Sequence, residues 1–486
     1  MSRLFPAAGL VLLLVLLAAN VYRAATQSFT TDEALTANLY VETPFRDLLT
    51  AFDACHHVLH TLLMRLSASL LGVSELTLRI PSLLGGASYL AAALLLARRL
   101  LGRGPLFLVA FASLSLDPFL LDFLSAARGY GMAVGLFLWA LFFLDRYFEA
   151  ASPRLLTAGA VSLALSVAAN LVLAVPGVAL VAAAAVLLIR RGEASRLADH
   201  LILPGIAAAF VILVIPLAHA TPGHFYAGGA SLRTAADGLV VASLYHSTPD
   251  QTDAGARFPQ FRRMLRIAAL PLVSLACLAV AAALGWIGWR LVRGRLPALR
   301  PAERFLWLAG GSLAGAIALA AALHRAFGTP YPDMRTGLYF LALFPLASFA
   351  LAASAPWPRM RGASLAFLAL FFGLCVAQFA LQWNTRFYFE WPYDAGMKTA
   401  LEHLRRAAAE SPAPLRVGAT PYLEPTVNFY ATRLGIPMNR IGREGPVEGR
   451  DYYLLAGDDC VLARRLALRP VFTDAFGKLV LAERPR

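Results

Sequence analysis

A chain of 486 residues that is 59% apolar and only 15% charged is not a soluble globular domain, where charged residues make up about a quarter of the chain. Its formal charge of +14, with no aromatic-basic stripe, argues against nucleic-acid binding and for a polytopic membrane protein whose basic loops face the cytoplasm. Arginine supplies nearly all of that charge, since Lys398 and Lys478 are the only lysines.

The first apolar run, Leu4 to Val21, follows Arg3 and reads as a signal-anchor helix. Cleaved or retained, it leaves the next stretch on the extracytoplasmic side. That stretch, Arg23 to His57, is polar and contains Thr30-Thr31-Asp32-Glu33-Ala34. Val58 to Leu71 then has the spacing of an amphipathic helix lying at the interface. Leu83 to Ala97 enters the membrane and is stopped by Arg98, Arg99 and Arg103. Leu106 to Leu116 goes out to Asp117-Pro118, and Gly129 to Leu144 returns to Asp145-Arg146 and Arg154. Leu155 to Ile189 holds two spans turning near Asn170, and ends at Arg190, Arg191 and Arg196.

Leu201 to Leu217 leads out to a polar segment, Thr221 to Arg263, which carries His224, Tyr226, His246, Asp250 and Asp253 and is a candidate lid. Leu265 to Trp289 returns to the basic group Arg290, Arg293, Arg295, Arg300 and Arg304. Phe305 to Leu323, Leu338 to Ala353 (stopped by Arg359 and Arg361) and Leu365 to Leu381 complete about eleven spans. The amino terminus then lies in the cytoplasm and the carboxyl terminus outside the inner (plasma) membrane.

The expected domains are a transmembrane catalytic domain over 1–382 and an extracytoplasmic α/β domain over 383–486. In the latter, helices are expected at Ala395 to Glu410 and Thr426 to Leu434. Strands are expected at Leu415 to Ala419, Tyr452 to Ala456, Val471 to Asp474 and Leu479 to Ala482. No metal, nucleophile or phosphate-loop motif occurs there. The four cysteines, Cys55, Cys277, Cys375 and Cys460, lack metal-ligand spacing, and a Cys55–Cys460 disulfide requires both to lie outside the cytoplasm.

This topology gathers unusual residues at one end of the spans: Asp32, Glu33, Asp53, His56 and His57, then Arg79, Asp117, Asp122, Arg128 and Tyr130, then Tyr331, Asp333 and Arg335. Carboxylates and arginines near an outer interface suit an anionic, lipid-borne substrate. Each also has a plainer reading. Arg79 and Arg128 read equally as interfacial arginines snorkelling to headgroups, Asp117 as a turn starter, and His57 as an interfacial histidine without a ligand.

The run Thr31-Asp32-Glu33-Ala34, the later His56-His57-Val58-Leu59-His60-Thr61-Leu62-Leu63 and Gly72-Val73-Ser74-Glu75-Leu76-Thr77-Leu78-Arg79-Ile80-Pro81-Ser82 resemble the amino-terminal half of glycosyltransferase family 39. These are the dolichyl-phosphate-mannose protein mannosyltransferase-like enzymes of the GT-C superfamily. Asp117-Pro118 followed by Ser125-Ala126-Ala127-Arg128-Gly129-Tyr130 is similar to that family's next loop. The likeness covers about the first 150 residues, in the family's order. Beyond it, Tyr331 to Pro345 is the best local match.

The resemblance implies a GT-C-like membrane fold and inverting transfer of a sugar, hexosyl or pentosyl, from a polyprenyl-phosphate donor to an acceptor hydroxyl on a protein, lipid or glycan. It places the catalytic carboxylate at Asp32, with Glu33 as the alternative. Adjacent helical residues do not share a face, so one of the two points at the acceptor and the other elsewhere. Arg79 and Arg128 are then candidates for the lipid phosphate, with Tyr130 and His57 as helpers and Arg335 behind them. Related aminoarabinose transferases use a loop lysine near the phosphate. This chain has no lysine before Lys398, so arginine's planar fork must serve. No cofactor is required. A divalent cation bridging carboxylate and phosphate is compatible, but no ligand spacing demands one. A lipid-linked sugar flippase or transporter is the rival reading, and a non-catalytic membrane scaffold a third.

Overall fold

The computed structural model describes residues 4–224, 227–244, 259–293, 299–475 and 478–485. Tyr226, His246, Asp250 and Asp253 of the outer segment, and Arg295 of the basic group, lie outside the described residues.

The chain begins with α1 (Leu4–Thr26), followed by α2 (Thr31–Tyr40), α3 (Phe45–Thr50) and α4 (Val58–Leu71). Next come α5 (Glu75–Leu101), α6 (Pro105–Ser115), the short α7 (Pro118–Phe123), α8 (Tyr130–Ala150), α9 (Pro153–Ala169) and α10 (Ala174–Arg190). The short α11 (Ala194–Arg196) and a π-helical turn over Leu197–Ile202 run into α12 (Leu203–Ala218). An outer helix α13 (Leu232–Ser243) precedes α14 (Pro259–Val292), α15 (Pro301–Phe327), α16 (Leu338–Ser354) and α17 (Pro358–Gln382).

Among the described residues, nine helices are long and apolar enough to cross a membrane, while α6 and α9, also expected as spans, are shorter apolar helices. The protein is a multi-pass helical membrane protein. Asn170 does separate two helices: its extended backbone ends α9, and its side chain accepts from Val172 N at 3.1 Å.

Two elements start earlier than hydrophobicity suggests. The polar stretch after α1 contains a true helix, α2, because Thr30 and Glu33 form a reciprocal capping box at its start. Helix α5 begins at Glu75 rather than Leu83, because Ser74 and Thr77 make a second capping box. Pro81 inside α5 removes the donor that would bond the Thr77 carbonyl. The Ser67 hydroxyl of α4 donates to that carbonyl instead, at 2.6 Å.

Helices α5 and α8 pack backbone to backbone. A side chain at Gly85 would come within 2.6 Å of Met132 Cβ, and one at Gly135 within 2.9 Å of Tyr89 N. Small residues permit this approach inside a membrane. It sets the starts of both helices, with Arg79 on one and Arg128 just before the other, beside α2. The far ends of α5, α8 and α15 are tied by Asp145, which pairs with Arg99 and with Arg304, the latter at 2.8 Å.

Beyond α17 the chain forms α18 (Met397–Ala409), β1 (Val417–Ala419), α19 (Glu424–Arg433), β2 (Tyr452–Ala456), α20 (Cys460–Arg465), β3 (Arg469–Thr473) and β4 (Leu479–Glu483). The strands form one sheet in the order β1-β2-β4-β3, with β1 and β2 parallel and the other pairs antiparallel. The short α20 has no counterpart in the sequence expectations. All four cysteines are free.

The cores show how this region is attached. One apolar core runs through the spans and takes in Tyr388, Phe389 and Trp391. Another joins Phe29, Ala34 and Ala37 around α2, and Leu78 of α5, to Met397, Leu401 and Val427. Helix α2 is therefore packed between the spans and the carboxyl-terminal region.

Candidate active site

The two adjacent carboxylates of α2 part company at its first turn, as successive helical positions point about 100° apart. Glu33 turns inward and is fully buried. Its Oε1 accepts from Arg79 Nε at 2.8 Å and from Ala127 N, and its Oε2 accepts from Arg79 Nη2 and Thr30 N, both at 2.7 Å. Asp32 turns outward, with its side chain 19% exposed. Of the two, only Asp32 is reachable from solvent.

Arg79 departs from the sequence expectation. Besides Glu33, its Nη1 donates to the carbonyls of Ala24 and Gln27 at 3.1 and 2.8 Å, and its Nη2 to that of Ser28 at 2.8 Å. All the N–H groups of a guanidinium are thereby engaged in a fully buried setting. No donor is left for a phosphate, so Arg79 fixes the α1–α2 connection and Glu33.

Asp32 has two other guanidiniums. Arg335 Nη1 donates to its Oδ2 at 2.7 Å, and Arg128 Nη2 lies 3.5 Å from the same oxygen. Arg128 Nη1 also donates to the Asp32 carbonyl at 3.3 Å and to Thr36 Oγ1 at 3.1 Å, while its buried Nε has no partner among the described residues. Asp32 Oδ1 accepts no hydrogen bond among the described residues. Asp32, Arg128 and Arg335 thus converge from α2, from the loop before α8, and from the 3-10 turn Met334–Gly337 that opens α16.

His57 and Tyr130 form the wall beside them. Their rings meet edge to face at 4.8 Å, and Tyr130 packs on Phe123 at 5.0 Å, which in turn lies 5.8 Å from Trp391. The Arg335 guanidinium sits 5.8 Å from the Trp391 ring centre. Burial first, and then the nearby Arg128, hold the His57 imidazole well below its usual pKa. It is neutral at neutral pH, and its Nε2 has no partner among the described residues. His57 also needs its neighbour to be glycine: a Cβ at Gly129 would lie 2.8 Å from His57 Cβ and 2.1 Å from the Ala169 carbonyl oxygen.

The remaining residues of the outer group serve elsewhere. His56 stacks on Tyr40 at 4.2 Å, and Asp53 accepts from Cys55 N at 2.9 Å. Asp122 pairs with buried Arg23 of α1. Asp333 caps the turn that carries Arg335, and Tyr331 bridges to Gly229. Asp117 caps α7 and accepts from Ser243, in keeping with its plainer reading.

Sequence reasoning missed two carboxylates. Glu390 accepts from the same Arg335 Nη1 that holds Asp32, at 2.9 Å. Burial raises its pKa, against the pull of Arg335. The one signal for it is a lone carboxylate among aromatics, in Phe387-Tyr388-Phe389-Glu390-Trp391. Asp394 is buried and accepts from Thr31 N at 2.6 Å, and from the hydroxyls of Thr31 and Thr426 at 3.2 Å each. It anchors the start of α2 to the carboxyl-terminal region.

Next to this cluster lies an apolar cavity of about 610 Å³ between α6, α13, α14, α15, α16 and α17. Leu239, Val273, Ile317, Phe344 and Phe372 line it, and Pro332 brings it next to the turn that carries Arg335. Its acidic group is Asp117, whose pKa burial pushes up to about 6. Among the described residues there is no group of three or more His, Cys, Asp or Glu side chains that could hold a metal ion. Asp32 and Glu390 do not line the cavity, and both are paired with Arg335.

No family model matches the chain, and no curated protein matches it. Among solved structures it is similar to ArnT from Cupriavidus metallidurans in the apo state, at 16% identity and a TM-score of 0.48, covering 99% of this chain and 98% of that one. It is similar to the same protein bound to undecaprenyl phosphate, at 16% identity and a TM-score of 0.44, covering 98% of each chain. It is also similar to the oligosaccharyltransferase of Archaeoglobus fulgidus in complex with Zn and sulfate, at 14% identity and a TM-score of 0.43, covering 91% of this chain and 67% of that one.

Proposed function

We propose that this protein is a GT-C-type membrane glycosyltransferase that moves a sugar from a polyprenyl-phosphate donor to an acceptor hydroxyl, with inversion. The observation that carries this reading is Asp32 held between Arg128 and Arg335, with one carboxylate oxygen open, beside a large apolar cavity.

In this reading the cavity takes the isoprenoid chain. Arg335 and Arg128 face the donor phosphate, and the acceptor hydroxyl approaches Asp32 Oδ1. The acceptor oxygen forms its bond to the anomeric carbon as the bond from that carbon to the phosphate oxygen breaks. The electron pair leaves on the lipid phosphate, and the hydroxyl proton goes to Asp32. One displacement inverts the anomeric centre. A positioned base contributes about 10²–10⁴-fold. The two guanidiniums stabilise the charge that develops on the leaving phosphate, which is commonly the larger effect. Neutral His57 and Tyr130 wall the site from the aromatic side.

Sidedness follows from charge. Helix α5 starts at the site and ends at Arg98 and Arg99, and alternation along the chain sends Arg146, Arg154, Arg190, Arg290, Arg359 and Arg361 to that same far end. Basic loops stay in the cytoplasm, which supports a catalytic end on the outer side.

Membranes containing wild type, Asp32→Asn and Arg128→Ala, supplied with a labelled polyprenyl-phosphate sugar and a lipid, glycan or protein acceptor, test the reading. Asp32→Asn is expected to lose at least about 100-fold in transfer rate. Full activity of Asp32→Asn at an unchanged protein level would remove the base assignment.

A further inference from the structure

Glu390 has no task in the transfer just described, yet it is the closest charged group to Arg335 apart from Asp32. Both carboxylates bind one nitrogen, Nη1, at 2.7 and 2.9 Å. The other N–H groups of Arg335 meet no acceptor among the described residues. The guanidinium is thus gripped along one edge and open along the other, with its side chain 27% exposed.

The formal charges at this point cancel. Asp32 and Glu390 carry two negative charges, and Arg128 and Arg335 two positive ones. Glu33 and Arg79 form a separate neutral pair behind them. A phosphodiester donor brings one negative charge. Once the sugar has left, the phosphate is a monoester whose second proton titrates near pH ~6, so the product is more negative than the donor. A site with surplus positive charge would hold the spent carrier more tightly than the fresh one.

We infer that Glu390 is a product-release residue: by keeping Arg335 electrically balanced, it lowers the site's affinity for the spent lipid phosphate so that the carrier can leave. Glu390 acts through Arg335, without contact to the reacting atoms, and the inference rests on the polyprenyl-phosphate reading above. Removal of its charge turns a neutral quartet into a cationic one and strengthens the hold on an anion.

The groups that face Glu390 are few. They are Arg335 from the turn before α16, Asp32 from α2, Arg128 from the loop before α8, and the phenols of Tyr130 and Tyr393. Burial raises the Glu390 pKa, so a falling pH neutralises it sooner than an ordinary glutamate and moves the wild type towards what the glutamine substitution does at any pH.

The experiment is equilibrium binding of undecaprenyl phosphate to the full-length protein in nanodiscs of uncharged lipid, for wild type, Glu390→Gln, Glu390→Asp and Arg335→Ala. Glu390→Gln is expected to bind at least fivefold more tightly than wild type at pH 7.5. Glu390→Asp, which keeps the charge, is expected to stay within twofold, and Arg335→Ala to bind at least tenfold more weakly. The difference between Glu390→Gln and wild type should shrink as the pH is lowered, whereas a purely structural role would leave it unchanged. If wild type binds, Arg335→Ala does not, and Glu390→Gln is no tighter than wild type, the release role is wrong and the donor reading stands. If wild type itself does not bind undecaprenyl phosphate, the donor reading falls and this inference with it.

Discussion

Arg79 and Glu33 meet in a buried two-point fork, Nε to Oε1 at 2.8 Å and Nη2 to Oε2 at 2.7 Å, with both side chains fully out of solvent. Removing one member strands the other as a buried charge, which costs about 3–5 kcal/mol. Glu33→Gln and Arg79→Ala are therefore expected to lower membrane protein levels and thermal stability by similar amounts. Arg79→Lys should be nearly as damaging, because one ammonium cannot span the fork and the carbonyls of Ala24, Gln27 and Ser28. Melting of the purified variants in detergent checks this. A stable but inactive Arg79→Lys would instead return Arg79 to the phosphate.

Arg335 should also resist replacement by lysine, for a different reason. It is partly exposed and binds two carboxylates through one nitrogen, which leaves its other edge open. Arg335→Lys keeps the charge but loses that edge, so the protein is expected to fold normally and to lose more than about tenfold in transfer rate. Activity normalised to protein level separates this from the behaviour of Arg79→Lys.

Asp394 carries a pH dependence. Burial pushes its pKa up to about 8, against the pull of Thr31 and Thr426, whereas an unfolded aspartate titrates near ~3.9. Between these values the folded protein holds a proton that the unfolded chain has released, so stability from this group falls as pH rises. It is fully present below the unfolded pKa and is lost once pH has risen through the folded one. Melting temperature should fall between about pH 4 and about pH 8 in the wild type, and fall less in Asp394→Asn, whose neutral amide keeps an acceptor for Thr31. Equal slopes for the two proteins would show that Asp394 is ionised throughout.

Gly129 is the tightest point of the site. A methyl group there would overlap the Ala169 carbonyl at 2.1 Å. Gly129→Ala is expected to cost about 1–3 kcal/mol of stability and to shift His57 and Arg128 enough to lower activity more than stability. Parallel melting and transfer measurements on this variant decide the point.

The sequence disclosed those parts of the fold whose cause is local. Spans, the break at Asn170, helix α4 and the strand Tyr452–Ala456 are all set by short-range hydrophobic periodicity and by polar interruptions. Helix α2 has a local start signal in the Thr30–Glu33 capping box, but its buried setting was not legible, because that face is completed by Met397, Leu401 and Val427, far away in the chain. The same distance hid Glu390, whose meaning comes from Arg335. Asp32, Arg128 and Arg335 were readable as unusual charges at one end of the spans. That Arg79 is consumed by Glu33 was not, because two arginines near an acidic pair look alike until geometry divides them.

The attachment of α2 has a consequence for how the protein is made. Thr31 is bonded to Asp394, Phe29 N donates to Tyr430 Oη at 2.8 Å, and Asn38 donates to the Pro425 carbonyl at 3.0 Å. Helix α2, which emerges early from the ribosome, is thus held in place by residues that emerge late. A chain interrupted after α17 would keep Asp32 with Arg128 and Arg335 but would lack Glu390 and the carboxyl-terminal anchors of α2. Assembly of the Asp32, Arg335 and Glu390 cluster is thereby tied to completed synthesis.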